Sequence, residues 1–143
     1  MKANKKGFTL IELLAVIVIL AIIALITVPV VINIINNAKK GAAEDSTYGV
    51  VEAAKLFWTS NQMNFESTNS TIVFKCKSSA CTVTTTGDLS GKSLEISGTK
   101  PNKDASPEGT ITITDGKVTV SGLKFGDYTC EVGASEKANC TKN

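Results

Sequence analysis

The sequence predicts an α+β chain: one long N-terminal α-helix, its first half membrane-spanning, with a small antiparallel β-sheet packed on its second half. Three observations carry that reading. Residues 13–28 contain no charge, and the apolar run continues through Pro29 to Ile32. That makes about 20 residues, the length that crosses a hydrocarbon core. Beyond it, Ala43, Thr47, Val50, Ala54 and Phe57 recur at alternating spacings of four and three, which is one stripe on a helix. From residue 71 onward the chain turns rich in β-branched residues that alternate apolar with polar.

The helix comes first. Its apolar run is hydrophobic on every face, so a membrane or a protein core must surround it. It is also too long for a strand. Lys2, Lys5 and Lys6 precede it and place the N-terminus in the cytoplasm; Lys39 and Lys40 follow it. Pro29 lies inside the pattern, removes one backbone hydrogen bond and is expected to kink the helix or loosen a turn. Val51 and Trp58 flank the later stripe, and Glu44, Asp45, Glu52 and Lys55 take other faces. A helix over residues 8–60 would extend about 80 Å at roughly 1.5 Å per residue, far more than so small a domain needs.

The strands follow. Residues 71–76 and 81–86 read as a hairpin turning at 77–80. Residues 87–109 read as loop, with a short strand at 93–96. Residues 110–114 and 117–121 alternate cleanly and are joined by Asp115-Gly116, the preferred pair for a type I′ turn. Ile111, Ile113, Val118 and Val120 share one face, sized to cover the helical stripe at 50–57. Residues 128–132 read as the last strand, and the tail to Asn143 is polar.

Composition narrows the chemistry. The formal charge is +2, from 15 lysines against 13 acids, with no arginine and no histidine. Discounting Lys2, Lys5 and Lys6 leaves 15 − 3 = 12 against 13, near neutral. Without arginine, the residue best suited to bidentate phosphate contacts, nothing suggests a nucleic-acid partner. The missing histidine removes the commonest general base and metal ligand, and with it any Ser-His or Cys-His pair. The chain is therefore read as no enzyme, with no cofactor and no metal. Only Asp127, Glu131 and Glu136 stand near the C-terminus as carboxylates for a cation. Four cysteines, at 76, 81, 130 and 140, lie beyond the apolar run. An even count in a small exported domain favours disulfides, and the spacings are unlike those of zinc sites. Three connectivities can be drawn. Sequence proximity favours Cys76–Cys81 with Cys130–Cys140, each nominally worth about 2–3 kcal/mol.

The junction Lys5-Lys6-Gly7-Phe8-Thr9-Leu10-Ile11-Glu12 adds the most specific signal. A secretory signal peptide would be cleaved after its apolar region; here the cleavage-like junction precedes it. Basic leader, Gly7, Phe8, Glu12 and spanning segment, in that order, resemble the class III signal of type IV pilins over residues 1–36. The resemblance implies the pilin fold. It implies a leader at 1–7 removed by a prepilin peptidase, which cuts after Gly7 and methylates Phe8. It implies a transmembrane and assembly half at 8–36 and a globular domain at 37–143. Glu12 would pair with the free amine of Phe8 on a neighbouring subunit. Read without the resemblance, it is a charge that must find a partner or snorkel to the interface. Pro29 stands where pilins carry a proline, while the glycine of many relatives eight residues earlier is Ala21 here. The Cys130–Cys140 pair resembles the disulfide-bounded loop of many Gram-negative pilins; Cys76–Cys81 departs from it.

The implied function is that of a structural subunit. It would be stored in the cytoplasmic membrane as a single-pass precursor. With the membrane and pilus assembly machinery it would polymerise into a helical homopolymer, an extracellular filament for adhesion, motility or biofilm. Ala15, Ala21 and Ala24 would allow close helix approach. One alternative is a pseudopilin of a type II secretion or competence system. Another is a membrane-tethered binding domain that never polymerises and for which Glu12 is dispensable. The junction generates a direct expectation. Mass spectrometry of the mature protein should begin at Phe8, N-methylated, and a bulky residue in place of Gly7 should leave the precursor uncut. An intact Met1 in the wild-type protein, or a cut beyond the apolar run, would refute it.

Overall fold

The computed structural model describes residues 7–62, 71–77, 80–84, 89–98, 100–102 and 109–143. The chain divides into two compact units, Met1–Ala38 and Lys39–Asn143. Helix α1, Leu10–Asn61, contributes to both.

In the first unit α1 is apolar and exposed on every side, from Leu10 at 88% to Ile35 at 47%. Helical geometry satisfies each backbone group internally, so such a segment is stable in hydrocarbon. The helix runs without interruption through Pro29. Proline has no amide hydrogen, so the Leu25 carbonyl loses its usual donor at that turn. Thr27, the one hydroxyl in the run, donates to the Ile23 carbonyl at 3.0 Å and so carries no unpaired donor.

In the second unit seven strands form one antiparallel sheet. They are β1 (Thr71–Lys77), β2 (Ala80–Val83), β3 (Ser93–Leu94), β4 (Gly109–Thr114), β5 (Lys117–Phe125), β6 (Tyr128–Val132) and β7 (Ala138–Lys142). Their order is β3-β2-β1-β4-β5-β6-β7. The β4–β5 turn shows why Asp-Gly was needed. Asp115 has φ 50° and Gly116 φ 79°, both left-handed, as a type I′ turn requires. Ile111, Ile113, Val118 and Val120 are all buried, and the intervening threonines are not.

The core forms where that apolar face meets the later part of α1. Ala43, Thr47, Val50, Val51 and Ala54 are buried. Val51 thus belongs to the stripe itself. Phe57 is half-buried and meets Phe74 of β1 edge-to-face, with ring centroids 5.0 Å apart. Trp58 lies over the β4–β5 turn, so close that a Cβ on Gly116 would come within 3.3 Å of its Nε1.

Several expectations needed correction. The strand at 128–132 is not the last, because the polar tail supplies β7, paired along the whole of β6. Strand β5 runs to Phe125, four residues past the expected end at 121. A β-bulge between Val120 and Leu123, with Gly122 at φ 68°, shifts its register and keeps both apolar residues on the core side. The short strand is only Ser93–Leu94, and β2 stops at Val83. The end of that expected strand, residues 85–86, lies outside the described residues.

Burial ranks the core residues for a stability test on a soluble fragment beginning at Lys39. Phe74 is fully buried, so Phe74→Ala should cost about 3–5 kcal/mol by denaturant unfolding. Half-buried Phe57→Ala should cost less. A Phe74→Ala fragment as stable as the parent would mean the sheet does not pack on α1 through this ring.

Candidate processing and assembly site

Gly7, Phe8 and Thr9 precede α1 and are not helical. Phe8 is 87% exposed, and a Cβ added to Gly7 would meet nothing within 4 Å. A larger residue at 7 therefore meets no obstacle among the described residues, so loss of processing on substitution would point to a peptidase's own pocket.

Immediately after this segment the helix closes its end with side chains. The Thr9 amide and hydroxyl both donate to Glu12 Oε2 at 2.8 Å, and the Glu12 amide donates to Thr9 Oγ1 at 3.3 Å. This is a reciprocal capping box, with Thr9 as N-cap and Glu12 at the third helical position. The Leu13 amide bonds to the Thr9 carbonyl at 3.2 Å, the first turn of the helix. A carboxylate is well placed here, since the helix dipole and unpaired amides favour negative charge at an N-terminus. Sequence reasoning singled out Glu12 and passed over Thr9. The signal was present as Thr-x-x-Glu directly before an apolar run.

Chemically, the arrangement separates cutting from folding. The Gly7–Phe8 bond lies outside the helix, and the cap starts one residue later at Thr9. Cleavage there can proceed without unwinding α1, and it leaves an amine at Phe8, four residues before Glu12. Both Thr9 bonds go to Oε2, which leaves Oε1 to receive a further donor.

Residues 2–28 match the family model described as the prokaryotic N-terminal methylation motif. The chain carries the class III signal peptide of type IV pilins. The motif includes Gly7, Phe8, Thr9 and Glu12, and it ends one residue before Pro29. The match supports a precursor of type IV pilin-like or pseudopilin kind and implies processing by a prepilin peptidase, and the apolar helix that follows is long and apolar enough to cross a membrane. No curated protein and no solved structure matches the chain.

The remaining site residues lie in the second unit, apart from Pro29. Cys76 and Cys81 are joined as directly opposed partners of the β1–β2 hairpin, with Cα atoms 3.9 Å apart. Cys130 and Cys140 are joined likewise across β6–β7, at 4.1 Å. The second bond therefore ties two strands together, where a disulfide-bounded C-terminal loop was expected. Its sulfurs lie beneath α1: Cys140 Sγ is 3.9 Å from the Thr47 hydroxyl, and Cys130 Sγ is 3.8 Å from the Ala43 carbonyl. Thr47 donates to that same carbonyl at 2.8 Å, which lets a hydroxyl be buried here at little cost. The β6–β7 turn is fastened to the helix as well. The Ala138 amide donates to the Tyr48 hydroxyl at 3.1 Å, and Glu136 lies 3.6 Å from Lys55. Glu136 is thus drawn to a lysine, away from Asp127 and Glu131. Among the described residues no three His, Cys, Asp or Glu gather as a metal site.

The capping box makes Thr9 testable. In detergent micelles, Thr9→Ala should speed amide hydrogen exchange over the first turn of α1 by about fivefold, while Thr9→Ser matches the parent. Unchanged exchange in Thr9→Ala would mean the hydroxyl does not hold the helix start.

Proposed function

We propose that this chain is the structural subunit of a type IV pilus. It is cleaved after Gly7, N-methylated at Phe8 and polymerised through α1 into an extracellular filament. One observation carries the reading: the apolar helix that follows the methylation motif is exposed on every face. A simple anchor needs only enough apolar length to cross a bilayer. A subunit that leaves the bilayer must bury the same surface against copies of itself. Contacts of that kind run head-to-tail, and when the rotation does not close they build a helical filament.

Glu12 has a defined part in this. In the precursor its carboxylate is occupied by Thr9 through Oε2. In the filament its other oxygen accepts the Phe8 amine of a neighbour, which cleavage alone uncovers. A carboxylate and an ammonium in low dielectric each need the other. The chain acts as a building unit and not as an enzyme. Its adhesive or motile role rests on the filament as a whole.

The test is Glu12→Ala. The variant should be inserted and cleaved like the parent, because the change makes the helix more apolar. Its yield in sheared surface filaments should fall by about tenfold or more, as loss of one partner of a desolvated charge pair demands. Normal polymerisation would leave Glu12 as a capping residue only. Absence of filaments with the parent chain would favour the pseudopilin or the tethered domain.

A further inference from the structure

We infer that a second charge step on α1, Lys39-Lys40 followed by Glu44-Asp45, sets the axial stagger between neighbouring copies of this chain in the filament. The inference rests on the pilus reading and adds to it the contact that fixes the register.

The apolar run itself cannot fix one. Between Glu12 and Lys39 every residue is uncharged, and most are Ile, Leu, Val or Ala. Burial of such surface is non-directional and nearly indifferent to sliding. Charges are what give register and specificity to an interface. Along α1 they come in two steps of the same sign order. The first is the Phe8 amine, four residues ahead of Glu12. The second is Lys40, four residues ahead of Glu44, with Lys39 and Asp45 widening each half. Both halves of the second step lie 32 residues beyond those of the first, at 8 and 40 and at 12 and 44.

Two parallel copies displaced by four to five residues, about 6–8 Å along the axis, satisfy both steps together. Each amine then faces a neighbour's Glu12, and each Lys39-Lys40 pair faces a neighbour's Glu44-Asp45. With no stagger, like charges face each other at both ends. With the reverse stagger, neither step is matched. Copies in a filament are identical and related by one operation, so the displacement at one end is the displacement at the other.

The side chains are placed to do this. Lys39, Lys40 and Asp45 are exposed, and Glu44 is about one-third exposed. Within one copy Lys40 and Glu44 approach only to 3.7 Å on an open surface, a contact that a neighbour's charges can exchange. Among the described residues neither Lys39 nor Asp45 has an ion pair.

Charge reversal with copolymer rescue tests it in the full-length chain. One variant carries Lys39→Glu and Lys40→Glu; the other carries Glu44→Lys and Asp45→Lys. Each alone places like charges across the contact and should give about fivefold less sheared filament than the parent, with cleavage after Gly7 unchanged. Produced together, the two should restore filament to within about twofold of the parent, with both copies in the same filaments by mass spectrometry. The internal Lys40–Glu44 contact is lost in both, so only contacts between copies can rescue. Glu44→Gln with Asp45→Asn adds no positive charge beyond the membrane and should lower the yield by about twofold. Full polymerisation of each reversed variant alone, or failure of the pair to rescue, would overturn the stagger while leaving the pilus reading intact. A parent chain that forms no filament would overturn both.

Discussion

A helix that is apolar on every face has no stable place in water, and this constraint governs the whole chain. From Leu10 to Ile35 no side of α1 is covered by the rest of the protein. It must be surrounded by lipid or by other helices of its own kind. Every notable feature of the N-terminus fits that demand. The proposed processing junction lies ahead of the helix, so cleavage there would keep the apolar segment. The capping box satisfies the first amides and holds the single carboxylate at the end of the run. The only hydroxyl within the run bonds back to its own helix.

The second unit solves the opposite problem. There α1 carries one narrow stripe, and the sheet covers it with alternating residues of β1, β4, β5 and β6. Disulfides complete two hairpins, one in β1–β2 and one in the terminal β6–β7. The terminal hairpin is also tied to α1 through Tyr48 and Lys55. An edge strand that is short, covalently bonded to its neighbour and fastened to a helix is poorly suited to recruit stray strands.

Much of this was legible in the sequence, and the parts that were not have physical reasons. The stripe of α1 and the β4–β5 hairpin announce themselves through unbroken periods and an Asp-Gly turn. Strand β7 does not, because only Ala138 and Cys140 face the core, and neither is a strong strand former. The extension of β5 is hidden by the bulge at Gly122. Val120 and Leu123 face the same way although they are three residues apart, which breaks a period-two reading. Thr9 was hidden differently. A carboxylate at the edge of an apolar run reads first as a charge in need of a partner, which masks the Thr-x-x-Glu cap it makes with Thr9.

The most direct test of a polymerising apolar helix is to see where the folded unit goes. Antibody raised against residues 39–143 should label sheared surface filaments at regular intervals along their whole length under immunogold electron microscopy. Filaments and label should both vanish when the chain is deleted. Label confined to the membrane fraction, with filaments unchanged by the deletion, would contradict assembly and leave α1 as an anchor alone.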